Sequence, residues 1–165
     1  ITVKHGGIYS AAAVGEVNVV AKMKETQAII GGEGNGGVIF PASHYGRDAL
    51  MGIALFLSYY ASKSMKMTEI KASLPHYEMS KNKIELTPEI HVDAILDSLH
   101  TKYKDLEQCN NIDGLKIDFS DAWVHLRKSN TEPIIRIYSE AASEFLASEI
   151  AMRFVSEIKN LIDEK

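Results

Sequence analysis

Seven consecutive residues, Arg127-Lys128-Ser129-Asn130-Thr131-Glu132-Pro133, bring together two cations, two hydroxyls, an amide and a polar turn. A phosphate asks for such a set. The planar fork of Arg127 can hold two phosphate oxygens at once. The hydroxyls of Ser129 and Thr131 and the amide of Asn130 add donors, and a tight turn frees backbone N–H groups to converge on an anion. Glu132 and Pro133 would set the shape of the turn, and Arg136 beyond it reads as structural. Composition alone also fits a surface hairpin whose arginine is incidental.

Gly31-Gly32-Glu33-Gly34-Asn35-Gly36-Gly37 is a second stretch with chemical potential. Residues 32–37 satisfy the G-x-G-x-x-G pattern of a dinucleotide loop. However, Val38-Ile39-Phe40-Pro41 continues as strand instead of opening a helix, and no acid ends a strand about 20 residues on. The dinucleotide reading is rejected. The glycines let the backbone turn sharply or approach a sugar closely. A Glu33 carboxylate in an open loop can accept hydrogen bonds from vicinal sugar hydroxyls, and the Asn35 amide both donates and accepts. A solvated turn glutamate is the competing account of Glu33.

Other polar residues carry weaker signals. Glu16 is either a site carboxylate or a favourable acid in a first helical turn. Arg47 could help bind an anion, but an exposed arginine beside a helix start needs no such role. His125 alternates with Trp123 and Arg127 on one strand face and reads as a packed or rim histidine. The histidines lack metal-ligand spacing. Neither a catalytic residue nor a metal ligand is assigned in this chain. The single cysteine, Cys109, sits in a polar connector and reads as an incidental thiol. It excludes an internal disulfide and fits a reducing, cytoplasmic compartment.

The elements that position these loops follow from periodicity. In the first half, strands are expected at Ile8–Val14, Ala28–Gly31 and Val38–Phe40, and a helix over Glu16–Thr26. Asp48 caps an apolar helix reaching Ser62, and Thr68 starts a short one. In the second half, a strand is expected at Tyr77–Leu86. Thr87-Pro88-Glu89 then starts a helix to Tyr103. Strands Gly114–Phe119, Ala122–Leu126 and Ile134–Tyr138 follow. A last helix, Ser143–Ile162, carries Leu146, Ile150, Phe154, Ile158 and Ile162 at intervals of four. The pattern changes near Leu74–Tyr77, so two units are expected, 1–75 and 76–165. The 165 residues, 45% apolar and 24% charged, have a globular composition. No apolar run is long enough to span a membrane. A net charge of −4 argues against a general nucleic-acid surface.

The order Arg-x-Ser-Asn-Thr-Glu-Pro, followed by Ile-Ile-Arg-Ile-Tyr-Ser-Glu-Ala, resembles the phosphate-binding loop in the last domain of the α-D-phosphohexomutases. These are the phosphoglucosamine mutase, phosphoglucomutase and phosphomannomutase family. Gly32-Glu33-Gly34-Asn35-Gly36-Gly37 is similar to the sugar-binding loop of the family's third domain. Asn35 stands where Ser is common, Gly37 where His is common, and Glu16 where some members have His. The resemblance implies an α/β domain 3 lacking its first strand, followed by an α+β domain 4 with an antiparallel sheet and packed helices. It implies 1,6-phosphoryl transfer on hexose or hexosamine phosphates, through a phosphoserine and a hexose 1,6-bisphosphate. Glu33, Asn35 and Glu16 would bind the sugar, and Arg127, Ser129, Asn130 and Thr131 the phosphate. Neither the phosphoserine motif nor the Asp-rich magnesium loop of domains 1 and 2 is in the chain. It is therefore expected to be a C-terminal fragment, inactive alone, whose Mg2+ ligands lie elsewhere and whose bare surface favours a homodimer. A stand-alone phosphosugar-binding module and a protein-interaction domain retaining the fold are the alternatives.

Overall fold

The computed structural model describes residues 1–87, 89–129 and 131–163. The candidate ligand Asn130, like Pro88 in the expected helix start, lies outside the described residues. The chain divides into two units, Ile1–Leu74 and Pro75–Lys165, with mixed helix and strand and an antiparallel sheet in each.

The first unit opens with a 3-10 turn, Val3–His5. It continues through α1 (Glu16–Thr26), β1 (Gly31–Gly32), β2 (Val38–Phe40), β3 (His44–Arg47), α2 (Ala49–Ala61) and α3 (Met67–Ala72). The expected and observed spans of α1 coincide. It ends where Gln27 turns left-handed, at φ 53°, and its N–H returns to the Met23 carbonyl. Asp48 caps α2 as expected, its carboxylate accepting from the Met51 N–H at 2.9 Å. β1, β2 and β3 form an antiparallel sheet in that order, with Gly31 opposite Ile39 and Gly32 opposite Val38.

Two expectations here need correction. Residues 8–14 form no strand, and Ile8 is 93% exposed. An apolar run such as Ile8–Val14 suits an extended chain, but a strand also requires a ladder partner, and no described strand pairs with this segment. The strand expected at Ala28–Gly31 is reduced to Gly31–Gly32, while β3 was not anticipated because His-Tyr-Gly-Arg has little strand character.

The second unit runs β4 (Glu78–Glu85), α4 (Val92–Tyr103), β5 (Gln108–Asn110), β6 (Leu115–Asp118), β7 (Trp123–Lys128), β8 (Ile134–Ala141) and α5 (Glu144–Asp163). Its five strands are antiparallel, in the order β4-β8-β7-β6-β5. Val124, Leu126, Ile135 and Ile137 project from one sheet face into a core shared with Leu99 of α4 and Phe154 and Ile158 of α5. Trp123, His125, Arg127, Arg136, Tyr138 and Glu140 project from the other face.

α4 begins at Val92, not at Thr87. The Thr87 carbonyl instead accepts the Ile90 N–H, closing a turn before the helix. The buried stripe of α5 is Ala147, Ala151, Phe154, Val155 and Ile158, while Leu146 is 45% exposed. A strict interval of four drifts by about 40° per step around a helix of 3.6 residues per turn, which carries Leu146 off the core face. Alanines at 147 and 151 let α5 approach the sheet, where the buried Ser139 hydroxyl donates to the Ala147 carbonyl at 2.7 Å.

Candidate functional site

The phosphate-loop residues sit in the hairpin between β7 and β8. The strand extends further than expected, through Arg127 to Lys128, so Arg127 is a ladder residue rather than a loop residue. The hairpin neck is closed by the Ser129 N–H donating to the Ile134 carbonyl at 3.0 Å. Ser129 is nearly buried. Its hydroxyl oxygen receives the N–H groups of Thr131 and Glu132 at 3.4 and 3.3 Å and lies 3.4 Å from the Thr131 hydroxyl. These N–H contacts exceed the usual 2.7–3.2 Å. Two backbone N–H groups and the Thr131 hydroxyl thus gather loosely around the Ser129 hydroxyl, a local side-chain turn that keeps these donors together at the hairpin tip.

Register arranges cations beside this turn. Arg127 stands directly opposite Arg136 on β8, and Arg136 stands opposite Lys83 on β4. The three share a face at the loop end of the sheet. Each has a carboxylate neighbour. Arg127 Nη1 donates to Asp113 Oδ2 at 3.1 Å, Arg136 Nη2 donates to Glu132 Oε2 at 3.2 Å, and Lys83 lies 3.5 Å from Glu85. The Arg136 Nε is buried with no partner among the described residues, a costly arrangement unless an acceptor arrives. Read from sequence, Arg136 was structural and Asp113 was not considered. The spacing of nine between Arg127 and Arg136 across a hairpin was the available signal for a cross-strand pair. His125, on the same face, donates through Nε2 to the Asp113 carbonyl and is a rim histidine held by structure.

The glycine loop connects β1 to β2. The Gly36 N–H donates to the Glu33 carbonyl at 3.1 Å, and the Gly37 N–H to the Asn35 side-chain oxygen at 2.9 Å. Gly36 has φ 89°, a conformation that suits glycine. Glu33 Oε1 accepts the Gly15 N–H at 3.0 Å, just before α1. Its Oε2 lies 3.4 Å from the Asn35 amide nitrogen. Glu33 and Asn35 are therefore together, and Glu16 begins the helix that Glu33 touches. Glu16 itself faces Arg47: Oε2 accepts from Arg47 Nε at 2.8 Å and Oε1 from the Arg47 N–H at 3.3 Å. Glu33 and Asn35 also border an open groove of about 910 Å³ lined by parts of residues 2–35.

Cys109 lies in β5, and burial, followed by the charges of Glu107 and Asp118, pushes its thiol pKa up. Such a thiol is a poor nucleophile at neutral pH. Among the described residues, no three His, Cys, Asp or Glu side chains are grouped to hold a metal ion. No helix among them is long and apolar enough to cross a membrane.

Residues 1–77 match the family model for phosphoglucomutase/phosphomannomutase, alpha/beta/alpha domain III, and residues 78–157 match that for the phosphoglucomutase/phosphomannomutase C-terminal domain. The chain belongs to the phosphoglucomutase/phosphomannomutase family. It is 36% identical over 153 residues to a phosphoglucosamine/phosphogalactosamine mutase of Sulfurisphaera tokodaii, covering 92% of this chain and 33% of that protein. It is 38% identical over 154 residues to a phosphoglucomutase/phosphomannomutase of Thermococcus kodakarensis, covering 90% of this chain and 32% of that one. A crystal structure of a family protein from Burkholderia thailandensis superposes with a TM-score of 0.75 at 27% identity, over 95% of this chain and 33% of that one. The chain thus spans about a third of the length of the family members it matches.

Proposed function

We propose that this chain is the substrate-recognition part of a phosphohexomutase that moves a phosphoryl group between O1 and O6 of a hexose or hexosamine phosphate. The observation carrying this reading is the β7–β8 hairpin, where loop N–H groups and hydroxyls gather beside the Arg127–Arg136 pair. Arg127, Ser129, Asn130 and Thr131 would hold the phosphate that is not reacting, and Arg136 would complete the cradle. Glu33 and Asn35, with Glu16 behind them, would hold the sugar hydroxyls. Binding energy gathered at these two loops would position the reacting end of the substrate.

Phosphoserine donation and magnesium would be supplied outside this stretch of sequence. The chain alone is therefore expected to bind hexose phosphates without turning them over. Amide NMR titration with glucose 6-phosphate, mannose 6-phosphate and glucosamine 6-phosphate tests the binding. The amides of Thr131 and Glu132 and those of Gly31–Gly37 should shift together. Silence of both loops toward all three ligands would overturn the reading. In the complete mutase, Arg127→Ala should lower kcat/KM about a hundredfold, the loss of a bidentate charge-assisted contact. Glu33→Gln should instead alter preference among sugars and spare inorganic phosphate binding.

A further inference from the structure

We propose that Arg47 is a sugar-contacting, specificity-determining residue of the glycine loop, donating from its guanidinium to a ring hydroxyl of the hexose. The inference rests on the proposed phosphosugar reading. Arg47 ends β3 and lies directly opposite Ile39, so its backbone is set by the ladder that also orients the outgoing side of the loop. Glu16 fixes the side chain through two contacts, one to Nε and one to the backbone N–H. Its stem lies against Gly37: a Cβ at position 37 would come within 2.9 Å of Arg47 Cδ. Gly37 therefore has to be small for Arg47 to lie where it does. Asn35 Oδ1 lies 3.1 Å from the same Cβ position. Arg47 and Asn35 thus meet over the bare Cα of one glycine, and Glu33 lies beside Asn35.

Glu16 engages the guanidinium at Nε, and the Arg47 side chain is 56% exposed. The terminal nitrogens are the donors assigned to a ligand. Arg47 and Asn35 supply donors and Glu33 an acceptor. Vicinal hydroxyls, which each donate and accept, require such an alternation. Within this chain, Gly37 leaves the space the arginine stem uses and Glu16 supplies the charge that anchors it. A structural ion pair bracing α1 would need neither the bare glycine face nor the exposed guanidinium.

The test is NMR titration of the chain with glucose 6-phosphate and its 2-, 3- and 4-deoxy analogues, using wild type, R47A and R47K. R47A should weaken glucose 6-phosphate about tenfold, the scale of one charge-assisted hydrogen bond. For one deoxy analogue, wild type and R47A should bind alike, because the contact is already gone. R47K keeps the stem over Gly37 and the charge but loses the fork, and should show the same pattern at smaller amplitude. It serves in place of R47A if the alanine variant loses amide dispersion. Thr131 and Glu132 amide shifts with inorganic phosphate should be equal in all three proteins. Undiminished glucose 6-phosphate binding by R47A, or an equal loss for every deoxy analogue, would overturn the inference while leaving the phosphosugar reading intact. If the wild-type Gly31–Gly37 amides respond to no hexose phosphate, that reading falls, and the Arg47 proposal with it.

Discussion

Arg127 and Arg136 are direct cross-strand partners on the same face of the β7–β8 ladder. Like charges so placed repel, and Asp113 and Glu132 each offset one of them. A phosphate dianion at the loop would relieve the pair, so phosphate should raise the wild-type Tm by mass action. R136Q should melt no lower than wild type without the anion, yet gain less from it. R127K should retain a reduced gain and R127A should show none. Thermal melts with and without phosphate measure this, and a full phosphate gain in R127A would place the anion elsewhere.

Tyr103 and Lys102 both lean on Glu157, the tyrosine hydroxyl donating at 2.7 Å and the lysine at 2.9 Å. Burial, then the hydrogen bond to Glu157, raises the Tyr103 pKa above its ordinary 10.0, and the Glu157 hydrogen bond raises that of Lys102 above 10.5. Both groups hold their proton more tightly when folded. Their stabilisation is complete below about pH 10 and is lost as the pH rises through the folded values. Y103F should cost about 1 kcal/mol at neutral pH and flatten the alkaline fall in stability, read as denaturant midpoints from pH 7 to 11.

The raised pKa of Cys109 predicts slow modification. Reaction with a disulfide reagent at pH 7 should be slower than for a free thiol and should climb steeply toward higher pH. A fast, pH-independent rate would mean that the thiol is more open or more acidic than its position in β5 implies.

Gly114 has φ 76°, and a Cβ there would sit 2.3 Å from the Leu126 carbonyl oxygen. Gly114→Ala therefore meets both backbone strain and a backbone clash. A loss of roughly 2–5 kcal/mol is expected from such a combination. Because Gly114 follows Asp113, the same change should displace the carboxylate from Arg127, visible as altered shifts in the β7–β8 hairpin.

Local signals located most helices and strands. The helical spacing of Val19 and Val20, four and three residues before Met23, marks α1, and the Asp48 cap marks the start of α2. Local signals failed where pairing or competition decides. Thr87 looked like a cap, but its carbonyl closes a turn and the helix waits until Val92. Ile8–Val14 is apolar enough for a strand but finds no ladder partner among the described residues. At the loops, residue types were legible because they are contiguous. The neighbours were not: Asp113 reaches Arg127 from another hairpin, Arg136 reaches it through register, and Arg47 reaches Gly37 and Glu16 across the first unit.

Met23, Ile39 and Ile70 are the only buried apolar residues described in Ile1–Leu74, whereas sheet, α4 and α5 share an extensive core in the second unit. The consequence is a gradient in how long each amide keeps its proton against solvent deuterium. Backbone groups of Ile117, Val124, Ile135 and Ile137 should exchange only when the whole second unit opens, and those of α1 and α2 through inexpensive local fluctuations. The glycine loop is mounted on the softer support and the β7–β8 hairpin on the harder one. Within the first unit, a ligand at the glycine loop should therefore leave a large protection imprint, because the unliganded amides there open cheaply.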